Sequence, residues 1–373
     1  MRVLFIGSKD IFGKVMSGGM QCSKRNYDLI CSVIGEKNVY SAIVWNADNV
    51  KITKNNRYFK RAKNRVEEVI SNLTNNRLYK MGEDRKILAY IKKISPDVIF
   101  WDTSLFGKLI EKVDKKIKNI VFMENVEVDY ARNRIKHGGI IFLPVYISTL
   151  YNEKRAVKYA DKIVLLTNRD KKRVEKLYGR QAEYILPIGL EDTFMPKKIK
   201  RGDEKNTLLF IGSNFPPNYD GIKWFVQTVM SELKEFNLLI IGKDFEKCRN
   251  ELTRDNVKVV GTVEDLGEYY YRYSNVVMPI RYGDGMKVKT AEALMYGMNI
   301  FATNEALEGY QVNKVEGVFR CNSVRGFIDA IRLHYKTYKF NEWNREGRSC
   351  YSDYYNPEHQ KVIMDKILYD EER

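Results

Sequence analysis

The stretch that decides the fold is MPIRYGDGMKVKTAEALMYGMNIFAT, residues 278–303. It completes a β-branched run at 276–280 and passes through a glycine-containing loop with one acid and two lysines. An amphipathic helix carrying a single glutamate follows, then Gly297 and a second apolar run at 299–302. Strand, helix and strand in that order make a βαβ unit, with both strands parallel in one sheet. The loop after such a strand faces ligands, because the helix N-terminus beyond it offers free N–H groups and a dipole that favours anions. Asp284, Gly285, Met286, Lys287, Lys289 and Glu292 stand at that position.

The same alternation extends in both directions. Downstream of residue 206, apolar runs at 208–212, 238–242 and 257–261 alternate with helical patterns near 219–232, 266–273, 288–296 and 324–335. Upstream, runs at 3–7, 39–44, 98–101, 120–123, 163–167 and 184–187 do the same, with helices near 20–33 and 152–159. The segment 49–86 is rich in Asn, Lys and Arg and reads as exposed helix. Between the halves, PIGLEDTFMPKKIKRGDEKN (187–206) has the prolines, glycines and charge run of a linker. The pattern predicts an α/β protein of two Rossmann-like parallel-sheet domains, 1–190 and 191–355, facing a cleft. An amphipathic helix over 356–373 is expected to cross back to the first domain.

Composition sets limits on function. The 373 residues, 44% hydrophobic and 30% charged, suffice for two cores of ordinary size. No apolar run reaches the roughly 18–20 residues needed to span a bilayer, and MRVLFIGSKD reads as a first strand rather than a signal peptide. Five scattered cysteines without a CxxC argue for reduced thiols in the cytosol, and with only three histidines a metal site is not expected. The net charge of +16 is unevenly divided: residues 1–195 hold 37 Lys+Arg against 22 Asp+Glu, and residues 196–373 hold 27 against 26. The first half therefore expects an anionic partner. No RNA-binding signature accompanies the charge, so a membrane surface or lipid phosphate is favoured over nucleic acid. The stretches 57–63 and 108–118 mix basic and apolar residues as interfacial helices do, the alternative being a solvated charged face.

Two further loops follow strands. GSKDIFGKVMSGGMQCSKRNYDLI (7–30) carries Gly18 and Gly19 but lacks the GxGxxG dinucleotide spacing, and it reads either as a substrate-facing loop or as an ordinary turn. IGSNFPPNYDGIKWFV (211–226) places Gly212 and Asn214 after a strand, with Asn218 as an expected helix N-cap. At the opening stretch, Glu292 can accept hydrogen bonds from a ribose diol, while Lys287 and Lys289 can neutralise a diphosphate. The bland alternative is a glutamate that merely complements a helix N-terminus.

The segments FNLLIIGKDFEK and VKVVGTVEDLGEYYYRYSNVVMPIRYGDGMKVKTAEALMYGMNIFATNEALEGY resemble the C-terminal domain of GT-B glycosyltransferases of the large family-4 type. The matching elements are Gly242; Gly261, Val263, Asp265 and Leu266; Gly285, Lys287, Lys289, Glu292 and Ala293; and Gly297, Asn299, Ala302 and Thr303. In the first half, SGGMQCSKRNYDLI and FMENVEVDYARN look like that family's Gly-Gly loop and its H-N-x-E region, less closely. The resemblance implies a donor site formed by Gly18, Gly19, Gly212, Asn214, Lys243, Val263, Gly285, Met286, Lys287, Lys289 and Glu292. Glu292 would hold the ribose, Lys287 and Lys289 the diphosphate. Two positions depart from the family. Asp284 stands eight positions before Glu292, where retaining members carry a second glutamate, and Glu124 replaces the histidine of the H-N motif. Catalytic candidates are therefore Asp284, Glu127 and Asp129, the last two being equally readable as loop acids beside Arg132 and Arg134.

The expected function is transfer of a sugar from a nucleoside-diphosphate sugar to a glycan acceptor, lipid-linked, in bacterial surface polysaccharide synthesis. No metal or cofactor beyond the donor substrate is expected, and the expected place is cytoplasmic, peripheral at the membrane's inner face. The rival readings are a non-catalytic partner subunit of the same shape and a sugar-nucleotide epimerase.

Overall fold

The computed structural model describes residues 1–13, 17–46, 55–201, 206–337 and 343–370. The chain divides into two compact units, Met1–Pro187 with Pro357–Arg373, and Ile188–Asn356. The first unit is built on a seven-stranded sheet in the order β3-β2-β1-β4-β5-β6-β7. Its strands are β1 Val3–Gly7, β2 Val39–Val44, β3 Asn56–Phe59, β4 Val98–Trp101, β5 Lys118–Met123, β6 Lys162–Leu165 and β7 Tyr184–Ile185. All pair in parallel. Helices cover both faces of a parallel sheet, so its inner strands are apolar throughout rather than alternating; β1 and β4 are buried at every position. Phe5, Phe100 and Phe122, from three adjacent strands, stack in a row along one face. The last helix, Pro357–Tyr369, packs in this unit against the helix Gly18–Ile34. There the buried Lys162 donates from Nζ to the carbonyl of Ile367 at 2.9 Å.

The second unit has a six-stranded sheet in the order β10-β9-β8-β11-β12-β13. The strands are β8 Thr207–Ile211, β9 Asn237–Ile241, β10 Val257–Gly261, β11 Asn275–Met278, β12 Asn299–Ala302 and β13 Val318–Arg320, again all parallel. In both sheets the strand order reverses once, between β1 and β4 in the first and between β8 and β11 in the second. Beyond the carboxyl ends of the strands at such a reversal the flanking connections diverge and leave a crevice.

Several expectations need correction. Within 49–86, residues 49–54 lie outside the described ones, but 56–59 form an edge strand and Leu78 and Tyr79 are buried, so this is not simply exposed helix. The stretch 57–63 is accordingly not an interfacial helix, since Arg57, Tyr58 and Phe59 pair with β2. In 108–118, Lys108 turns its Nζ inward to the carbonyl of Thr74 at 2.7 Å and to Asn76 at 2.8 Å, while Leu109 and Ile110 are buried. The expected linker begins at the division between the two units, and most of its described residues are exposed; Arg201 is an exception, its buried guanidinium donating to the carbonyls of Gly297, Tyr270 and Tyr296. Its residues 202–205 lie outside the described ones. Asn218 is not an N-cap; Phe215 holds that place, Pro216 opens the helix Pro216–Thr228, and the Asn218 amide donates back to the Ser213 carbonyl at 2.9 Å.

Candidate functional site

In the second unit the reversal between β8 and β11 gathers the sequence-predicted residues into two groups. The first follows β11. The loop 279–287 leads into the helix Val288–Met295, whose N-cap Lys287 offers no side-chain acceptor. Lys287 Nζ folds back onto the carbonyls of Gly285 (2.9 Å) and Asp284 (3.3 Å) and pairs with Glu305 at 2.8 Å. Tyr310 donates its hydroxyl to the Lys287 carbonyl and pins the turn. One turn into the helix, Glu292 is half-buried, and its Oε2 accepts from Lys289 Nζ at 2.8 Å and from the buried Tyr270 hydroxyl at 3.0 Å. Among the described residues no donor addresses Oε1, and a carboxylate has about four acceptor positions. Met286 is buried, its sulfur facing the Ile188 N–H.

The second group closes the ends of β8, β9 and β10. Gly242 has φ +142°, and a Cβ there would lie 1.6 Å from the Gly212 carbonyl oxygen, so only glycine lets these strand ends meet. The Gly242 N–H donates to the Gly261 carbonyl, and Asn214 donates from its N–H to Lys243 and from its side chain to the Asp244 carbonyl. Lys243 is exposed and Val263 half-buried just beyond this knot. Gly212 is thus bonded to the end of β9 and Asn214 to Lys243 through backbone, Val263 follows β10, and Lys287, Lys289 and Glu292 sit at the end of the strand beside β8.

In the first unit the reversal holds charge. Lys9 follows β1 and is ion-paired with Glu124 at the end of β5, and its Nζ also donates to the Gly19 carbonyl. Burial pulls the Lys9 ammonium down, but Glu124 and Asp102 outweigh it and stabilise the charged form. A Cβ on Gly19 would meet the side-chain ends of Lys9 (Nζ, 2.7 Å) and Glu124 (Oε1, 3.1 Å), so the ion pair lies directly against this glycine. Gly18 and Gly19 form the first turn of the helix Gly18–Ile34, capped by Ser17. Asp102, after β4, is buried, accepts from Asn26 at 2.8 Å, and is pushed up to about 6 by burial.

Glu127 and Asp129 lie in the first turn of the helix Glu127–Gly138 rather than in a loop, and they face different partners. Asp129 is held by both Nε and a terminal nitrogen of Arg173, at 2.5 and 2.7 Å. Glu127 is raised from 4.5 to about 7, by burial and then by the neighbouring Glu153 and Glu124. Glu153, fully buried on the helix Leu143–Tyr159, accepts from Ser104 Oγ, Tyr178 hydroxyl and the N–H groups of Glu127 and Val128. It caps a neighbouring helix from a distance, and burial pushes it too to about 7. Lys9, Asp102, Glu153 and Glu305 went unnoticed in the sequence. Lys9 follows the first strand directly, as loop residues at such sites do, and was the most findable; Glu153 and Glu305 carry no local signal.

Residues 205–336 match the family model described as Glycosyl transferases group 1. No curated protein sequence matches the chain. Among solved structures, sucrose-phosphate synthase from Thermosynechococcus elongatus is similar with TM-score 0.70 at 15% identity, over 99% of this chain and 98% of that one. HepE of Anabaena, solved with UDP, is similar at TM-score 0.69 and 10% identity, with 99% of each chain covered. The lipopolysaccharide outer core galactosyltransferase WaaB gives 0.67 at 13% identity, again with 99% of each chain covered. The chain therefore has the GT-B glycosyltransferase fold, and its second unit carries the group 1 glycosyltransferase pattern.

Proposed function

We propose that the chain is a glycosyltransferase that moves a sugar from a nucleoside-diphosphate sugar to a lipid-linked glycan in surface polysaccharide synthesis. The observation that carries this reading is Glu292, fixed through Oε2 by Lys289 and Tyr270 while Oε1 faces no described donor. A carboxylate so held can receive a ribose hydroxyl without moving. Lys287 and Lys289, together with the uncapped helix N-terminus at Val288, supply the positive end for the diphosphate, which leaves without need of a metal. Gly212, Asn214, Lys243, Val263, Gly285 and Met286 complete the donor side. Asp284 is the acid nearest in sequence to this cradle. Glu127, whose pKa of about 7 suits proton transfer near neutrality, is the better acceptor-side base than Asp129, whose carboxylate Arg173 already holds. HepE was solved in complex with UDP, which supports trying uridine nucleotides first.

Calorimetric titration of UDP, GDP, ADP and CMP into the wild type and Glu292→Ala tests the reading. One nucleotide is expected to bind, weakened in the variant by about 1–3 kcal/mol, as for a lost charge-assisted hydrogen bond. Binding of no nucleotide would transfer the case to a non-catalytic partner of the same fold.

A further inference from the structure

Two helices of the first unit are amphipathic the wrong way round. In the helix Arg65–Leu73 the residues turned inward and buried are Ser71 and Asn72. Val66, Val69, Ile70 and Leu73, spaced i, i+3, i+4 and i+7, form its apolar stripe and are exposed, Val66 at 68% and Leu73 at 67%. The helix Leu143–Tyr159 repeats the inversion in its first half, burying Ser148, Thr149, Asn152 and Glu153. Outward it turns Leu143, Ile147 and Leu150, continued upstream by Ile140 and Ile141 at 79% and 72% exposure. The two helices are neighbours: Arg77, just past the first, donates to Thr149 Oγ1 at 3.1 Å, and Asn152 donates to the Asn75 carbonyl. Thr149 and Asn152 thus bind the segment that follows the first helix, while the aliphatic stripes of both helices stay exposed.

A helix of a globular protein places its apolar stripe against the core, and adjoining exposed stripes mark a surface that meets something apolar. The rim decides what. Residues 60–81 and 126–155, which contain both stripes, hold eleven Lys and Arg against five Asp and Glu. Lys63, Arg65, Arg132, Arg134 and Lys136 are exposed there. A second copy would bring two such positive rims together. An anionic bilayer pairs with the rim while its acyl chains take up the stripes.

We propose that the outward faces of the helices Arg65–Leu73 and Leu143–Tyr159, with Ile140 and Ile141, are the surface by which this chain inserts into an anionic lipid bilayer. This deepens the transferase reading by naming what holds the enzyme beside a lipid-linked acceptor, but its support comes from burial and charge and not from the nucleotide site. It also moves the apolar part of the membrane contact away from 57–63 and 108–118, where Phe59, Leu109 and Ile110 are buried, while Lys63 stays on the rim.

Co-sedimentation with phosphatidylcholine vesicles, with and without about 30% phosphatidylglycerol, tests it. The wild type is expected to bind the anionic vesicles well and the neutral ones poorly. Val69→Asp with Ile147→Asp should cut binding at least about tenfold while the thermal midpoint stays put, because both sites are exposed. Arg65→Glu with Lys136→Glu should weaken binding and reduce its salt dependence. Wild type that binds neither vesicle, or an aspartate variant that binds as wild type does, overturns the proposal. So does a wild-type dimer that the same aspartates convert to monomer. Nucleotide titration keeps the two readings apart: a wild type that binds anionic vesicles but no nucleotide refutes the transferase alone, a wild type that binds a nucleotide but no vesicle refutes the bilayer surface alone, and the aspartate variant should bind nucleotide as the wild type does.

Discussion

Where strand order reverses, the first unit places the Lys9–Glu124 ion pair, with the four-donor carboxyl of Glu153 one helix away, and the second places glycine backbone with Lys287, Lys289 and Glu292. Topology treats the two positions alike, since both are carboxyl ends of parallel strands. The difference is how much of each acid is already engaged. Glu153 accepts from four internal donors and so has its lone pairs filled, whereas both donors to Glu292 address one oxygen. Acids saturated from within hold a fold together, and acids with capacity left over are available to a ligand.

The sharpest way to break that comparison is at the second unit's strand ends. Gly242→Ala puts a methyl into the Gly212 carbonyl at a left-handed backbone angle and is expected to destabilise the second unit by about 3–5 kcal/mol. Urea unfolding followed by hydrogen exchange would place the loss in residues 206–337 and leave β1 to β6 protected. Next comes Glu153→Leu in the first unit. It strands two buried hydroxyls and two backbone N–H groups at the start of the helix Glu127–Gly138 and should cost about 3 kcal/mol. Its nucleotide titration should match the wild type. A Glu153 variant that lost nucleotide binding but kept its stability would reverse the assignment of the two acids.

In pH the units have opposite signs. Glu127 and Glu153 rise from 4.5 to about 7 and Asp102 from 3.8 to about 6 in the folded state. The folded first unit therefore binds more protons than the unfolded chain in that window, and its stability falls as pH rises from about 5 to 7. His334, buried against Phe301 and Phe319 in the second unit, is lowered from 6.5 to about 4. There the unfolded chain binds the extra proton, so that unit's stability is present above 6.5 and lost as pH falls toward 4. Protection factors in the two units, the intrinsic rate at each pH divided by the exchange rate, should shift in opposite directions between pH 5 and pH 8.

How much of this could be read beforehand depended on where the physical cause sat in the chain. β1, β2 and β4 were legible at their observed limits because both faces are buried and the runs are apolar throughout. β3 and β13 escaped because each closes a sheet edge, and β3 buries only Phe59 of its four residues. The helix Glu127–Gly138 looked like an acidic loop because its N-cap, Val126, has no capping side chain; the cap comes from Glu153, 26 positions past Glu127. The donor-side candidates clustered in sequence because one βα turn carries Lys287, Lys289 and Glu292. Glu305, which occupies Lys287, lies 18 positions further on and left no local trace.

The return of the helix Pro357–Tyr369 to the first unit has a consequence for how the molecule is made. The Gly18–Ile34 surface waits for its cover until all of Ile188–Asn356 has been synthesised. The Ile367 and Asp370 carbonyls that receive Lys162 arrive 205 and 208 positions after Lys162 itself. During translation the second unit therefore has its full sequence outside the ribosome before the first does, although its codons come later. Completion of the first unit thus waits on a helix synthesised after the whole of the second.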